Sequence, residues 1–191
     1  MKKLFAFITI VLMIIANVWY SFLTVKGVIH PTLMTWVIFI IAASLSFATY
    51  LSSEKHNLLN NICNTGDVFL VLAVTVVIIC FGKDVRYRVN IFESLCLFLS
   101  LVIFIFWKIT KSPVLSNILV QAIMVMAYFP TFYHLWSASE TSESPIAWGF
   151  SCFYALTGLI TGILGKDRLA IIYSARSLAM MSIMLYLILR I

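Results

Sequence analysis

Seven apolar runs, each about as long as a helix that crosses a bilayer, follow one another with only short polar connectors between them. A hydrocarbon core of about 30 Å needs roughly 20 apolar residues per helical crossing. Seven such crossings use nearly all of the 191 residues and leave no length for a soluble domain. Composition agrees, because 63% of the chain is hydrophobic and 10% is charged, against about 45–50% and about 25% in soluble domains. The predicted fold class is an all-α polytopic membrane protein with seven transmembrane helices, its surroundings a lipid bilayer and its expected place the cell (inner) membrane.

The spans are predicted at Leu4–Leu23, Leu33–Leu51, Leu58–Phe81, Ile91–Trp107, Val114–Trp136, Pro145–Leu164 and Leu169–Leu189. Residues 137–144 form the least hydrophobic loop. The opening Met1-Lys2-Lys3 followed by an apolar run has the look of a signal peptide. The run continues through Trp19, Tyr20, Phe22 and Leu23 without a small-x-small cleavage site, so it is read as the first membrane helix. Lysine and arginine set orientation. Lys2, Lys3, Lys55, Lys108, Lys111, Lys166 and Arg168 fall on the side of the N-terminus; Lys26, Lys83, Arg86, Arg88 and Arg190 fall on the other. The excess places the N-terminus in the cytoplasm.

The net charge of +6 is divided among loop ends and forms no basic stripe of the kind that nucleic acid requires. Cys63, Cys80, Cys96 and Cys152 stand isolated in apolar sequence, where cysteine acts as a small hydrophobe, and His30, His56 and His134 are scattered. No metal site, cofactor site or nucleophile–base pair can be assembled, so the chain is not read as an enzyme. The last helix has no lysine, which excludes a retinal Schiff base.

Polar side chains inside a membrane are costly and usually face a bundle interior or an aqueous cavity. In helix three, Asn57, Asn60, Asn61, Asn64 and Asp67 fall within an arc of roughly 120° at helical spacing. In helix five, Asn117, Gln121, Met124, Tyr128 and Thr131 share roughly 80°. Helix seven offers Tyr173, Arg176 and Ser177. All three helices start from the N-terminal side, and at about 1.5 Å per residue Asp67, Gln121 and Arg176 reach comparable depths. Asp67 is the expected partner of Arg176. The candidate solute site is Asn64, Asp67, Gln121, Tyr128, Tyr173 and Arg176. In helix six, Gly158 and Gly162 lie on a small-residue face that can serve bundle packing or a homodimer contact, and Pro130 should bend helix five.

Seven helices divide as three, one and three: residues 4–81, a linker helix at 91–107, and 114–189. Trp36 and Trp148 open the second helix of each triplet, an offset of 148 − 36 = 112, which sets Asn64 on Arg176 and Thr49 on Thr161. Across an odd linker the triplets have the same orientation, as in parallel repeats. Within the second triplet, Ala127-Tyr128-Phe129-Pro130-Thr131 precedes a polar loop, Glu143-Ser144-Pro145 and Trp148. This arrangement resembles the PQ-loop pattern of the SWEET-type transporters, with Thr131 in place of the glutamine and Val18 where the first triplet would carry the proline. The resemblance implies a divergent seven-helix carrier that moves a small solute by alternating access. An acid and a guanidinium suit a polar, vitamin-like or zwitterionic solute better than a plain sugar. The alternative is a non-transporting membrane protein, an assembly factor or a receptor-like bundle.

Overall fold

The computed structural model describes residues 1–54, 56–82, 91–137, 141 and 143–191, with the backbone alone at 130, 134 and 137. These residues form α1 (Lys2–Lys26), α2 (Leu33–Leu51), α3 (Ile62–Phe81), α4 (Ile91–Thr110), α5 (Pro113–Met126), α6 (Phe129–Ser137), α7 (Pro145–Gly165) and α8 (Arg168–Arg190), with no strand among them. Seven stretches are long and apolar enough to cross a bilayer; the fifth, Pro113–Tyr133, runs through α5 into α6. The chain is an all-α integral membrane protein. The predicted connector charges Lys55, Lys83, Arg86 and Arg88 lie outside the described residues, as do loop positions 138–140 and 142.

Two predicted boundaries need correction. Helix three starts at Ile62 and not at Leu58, because Asn57 organises a turn in front of it. Its Oδ1 accepts from the backbone N–H of Leu59 at 3.0 Å and of Asn60 at 3.3 Å. Short amide side chains that bond nearby backbone compete with the helix in this way. Asn57, Asn60 and Asn61 are therefore not on the helical face that carries Asn64 and Asp67. The fifth helix does not merely bend. It breaks at Ala127–Tyr128, between α5 and α6. Pro130 has no N–H to offer the Met126 carbonyl four residues back.

Elsewhere the ends follow local sequence. Gly27 takes the left-handed conformation (φ 68°) that closes α1. Ser144 caps α7 ahead of Pro145, and Asp167 caps α8, each side chain accepting a backbone N–H at 3.2 Å.

α3 packs on both α1 and α2, and α8 packs on both α7 and α5. The two sets join chiefly where α1 meets α7 and α2 meets α5, the first helix of one triplet touching the second spanning helix of the other, and α3 also reaches α7 and α8. α4 lies at the edge against α5 and α2. Large apolar side chains such as Phe69, Phe98 and Phe153 point outward, as a lipid-facing surface requires. The small-residue face of α7 is used inside the bundle. A Cβ at Gly158 would collide with Cys63 Sγ, and one at Gly162 would lie 3.2 Å from the Ile171 backbone N. At those two glycines the face meets α3 and α8 of the same chain.

Candidate functional site

Between the two triplets lies a cavity of about 60 Å³. At roughly 10–15 Å³ per water centre, that is room for a few waters. α3 brings Asp67 to its wall and α8 brings Tyr173 and Arg176. Tyr173 and Arg176 are three apart on a helix and so share a face.

Asp67 and Arg176 both line the cavity, yet no direct ion pair joins them among the described residues. Tyr173 stands between them. Its hydroxyl donates to Asp67 Oδ2 at 2.7 Å, and its ring lies under the Arg176 guanidinium with 4.6 Å to the centroid. Tyr154 of α7 reaches Asp67 Oδ1 at 3.5 Å, a long and weak bond. Arg176 is held from the other side. Its Nε donates to Gln121 Oε1 at 3.2 Å and its Nη2 approaches Met124 Sδ at 3.3 Å. The expected pairing is therefore indirect, with the acid served by hydroxyls and the guanidinium by an amide, a thioether and a π-face.

Away from the N-terminal side, five aromatic rings form a closed circuit. Tyr20 meets Trp36 at 5.0 Å between centroids, Trp36 meets Phe39 at 6.2 Å, and Phe39 meets Tyr128 at 4.8 Å. Tyr128 then meets Trp148 at 6.2 Å, and Trp148 returns to Tyr20 at 6.5 Å. All five also line a second, smaller hollow beyond the ring, together with Glu143 and Thr131. The ring is thus the partition between the two spaces. α1 and α2 supply three of its members, and the second triplet supplies Tyr128 and Trp148.

Glu143 ties that partition together. Its Oε2 accepts from Trp148 Nε1 at 2.9 Å and from the Tyr20 hydroxyl at 3.1 Å. Burial pushes the Glu143 carboxyl up to about 7, against the opposing pull of the Trp148 and Tyr20 donors. At the other end a similar tie joins α2 to the α7–α8 turn. The Tyr50 hydroxyl donates to Asp167 Oδ2 at 2.6 Å and accepts from Asn57 N–H at 2.7 Å.

Four of the six residues singled out from sequence line the cavity: Asp67, Tyr128, Tyr173 and Arg176. Asn64 and Gln121 do not. They stand one layer back, in a buried network centred on Ser46 of α2. Ser46 Oγ lies 3.0 Å from Asn64 Nδ2, 3.1 Å from Gln121 Nε2 and 3.2 Å from Asn117 Nδ2. Asn117 also donates to the Ser46 carbonyl at 2.7 Å and to Thr49 Oγ1 at 3.0 Å. Gln121 still acts on the site, through its bond to Arg176. Sequence reasoning missed the hub, because a lone serine in an apolar helix gives no sign of what converges on it. Tyr20, Tyr154 and Glu143 carry no sequence signal for a site either: Glu143 stands out in the sequence only as part of the loop pattern before Trp148.

No protein-family model, curated protein or solved structure matches the chain.

Proposed function

We propose that the protein is a carrier for a small polar solute and works by alternating access, in the manner of the SWEET-type PQ-loop proteins it resembles. The observation that carries this reading is the aromatic partition, built by both triplets over a cavity that holds an acid and a guanidinium. A displacement of one triplet against the other separates Tyr20, Trp36 and Phe39 from Tyr128 and Trp148, and so joins the two hollows. The cavity is too small for a solute larger than a few waters, so this conformation is a closed one. Asp67 and Arg176 offer opposite charges, and the surrounding rings offer flat apolar faces. A zwitterionic or vitamin-like solute with one flat face suits that combination. We place the protein in the cell membrane, and its N-terminus in the cytoplasm on the lysine and arginine excess of the N-terminal side.

The test is a thermal-shift screen of the purified protein against amino acids, sugars, nucleosides and ring-bearing vitamins, followed by counterflow in proteoliposomes. A ligand that binds only the folded state raises apparent stability, by about 2.7 kcal/mol at a hundred times its Kd. One solute class should stabilise the protein and exchange across the vesicle membrane, and Trp148→Ala should abolish both effects. A protein that responds to none of the classes and exchanges none of them would be a non-transporting bundle.

A further inference from the structure

We propose that the groove between α2 and α4 is a binding site for an anionic phospholipid of the leaflet on the N-terminal side, with one acyl chain seated along it. The groove encloses about 570 Å³ and opens to the side of the bundle, where lipid lies. It exists because small residues face large ones. Ser44 and Ala48 on α2 and Ser100 on α4 form its floor, and Leu101, Phe104 and Trp107 raise its wall. Ser100 returns its hydroxyl to the Cys96 carbonyl at 2.8 Å, so that part of the floor presents carbon.

Length and charge identify the occupant. On α4 the lining runs from Leu97 to Trp107, about 15 Å at 1.5 Å per residue. That is half of a hydrocarbon core of about 30 Å, the reach of one leaflet. The groove therefore ends at the interface on the side where α4 ends. There Lys108 Nζ lies over the Trp107 ring, 4.8 Å from its centroid, and 5.5 Å from that of Phe104. Lys111 follows one turn later, as α4 gives way to α5. A chain lying in the groove brings its phosphate to these two ammonium groups. Lysines at the mouth of an otherwise apolar channel favour an anionic headgroup over a zwitterionic one. A protein partner would be expected to extend beyond one leaflet, and it has no need of cations at one end. This site stands apart from the carrier reading and does not depend on it.

Native mass spectrometry of the delipidated full-length protein tests the proposal, with phosphatidylglycerol and phosphatidylcholine of identical chains as probes. One phosphatidylglycerol should be retained at least about tenfold more strongly than phosphatidylcholine, since each lysine near the headgroup is expected to contribute roughly fivefold. Lys108→Gln with Lys111→Gln should remove most of that preference and leave weak binding of both lipids. Ala48→Phe, which fills the floor, should lower retention of both; Ser44→Leu does the same job if Ala48→Phe fails to fold. Equal retention of the two lipids, or unchanged retention in a folded floor-filling variant, overturns the site. A floor-filling variant that dissociates a dimer while leaving lipid retention intact overturns it too, in favour of a second copy.

Discussion

The hydroxyl of Tyr173 donates to Asp67 Oδ2 at 2.7 Å while the ring of the same residue carries the Arg176 guanidinium on its face. One side chain on α8 therefore serves two opposite charges by two different interactions, and the two can be separated. Tyr173→Phe removes only the hydroxyl. It should cost about 1.5–3 kcal/mol, the range for a hydrogen bond to a charged group. Tyr173→Leu should cost more, because a desolvated cation–π contact worth about 2 kcal/mol goes as well. Equilibrium unfolding in detergent measures both. Equal losses would mean that the ring contributes nothing to holding Arg176.

The Ser46 network makes a prediction of the opposite kind. Ser46→Ala takes away an acceptor shared by Asn64, Asn117 and Gln121 without touching the cavity wall. A buried polar group left unpaired costs about 1–3 kcal/mol, so the thermal midpoint should drop clearly. If the chain is the carrier proposed above, solute affinity should stay within about twofold for Ser46→Ala and Asn64→Ala. A loss of affinity with no loss of stability would put Asn64 back at the site.

These two cases show what the sequence could and could not reveal. Helix count and most boundaries were legible because a bilayer demands long apolar runs, and α2 was placed at both ends. The arcs of α3 and α5 correctly marked an interior, but periodicity gives only the direction a side chain points. It cannot distinguish a residue that reaches a cavity from one that stops at a neighbouring helix, and Ser46 decides that for Asn64 and Gln121. The start of α3 was misjudged because a run of asparagines keeps helical spacing even where Asn57 turns the chain. Asp67 and Arg176 line one cavity, whereas the tyrosine between them belongs to geometry that spacing does not encode.

Glu143 should make the aromatic partition sensitive to pH. Its carboxyl titrates near 7 in the folded protein because burial disfavours the charge. Between the usual carboxylate range and about pH 7 the folded chain holds a proton there that the unfolded chain has released. The stability this group contributes is therefore fully present at low pH and is lost as pH rises through that window. The hydrogen bonds behave inversely. Donors to a carboxylate bond about twice as strongly as donors to a neutral acceptor, so Trp148 and Tyr20 are gripped harder above pH 7. A cysteine placed at Ser151, in a background without the native cysteines, should react faster with an impermeant thiol reagent from the side of Glu143 at pH 6 than at pH 8, after correction for reagent chemistry. Glu143→Gln should flatten that difference. An unchanged pH response in that variant would detach Glu143 from the partition.

The number of crossings predicts the placement of the ends. Seven spans put Met1 and Ile191 on opposite faces, and reporter fusions at the two termini should give opposite signals. Matching signals would require an even number of crossings and a non-spanning helix among the seven.

The break at Ala127–Tyr128 gives the second triplet an elbow that the first does not have, since α1 runs unbroken from Lys2 to Lys26. α6 is a forearm of nine residues, about 13 Å long at 1.5 Å per residue. A swing of about 10° at the elbow carries its tip roughly 2 Å on that length. The tip is not loose, because Arg190 at the end of α8 donates to the Trp136 carbonyl at 2.6 Å and stacks on the Trp136 ring. Arg176 and Arg190 thus sit on one rod, the first at the cavity and the second gripping the wrist of α6. A shift of that rod caused by something seated beside Arg176 would pull the forearm at its far end and turn the elbow where Tyr128 closes the aromatic circuit.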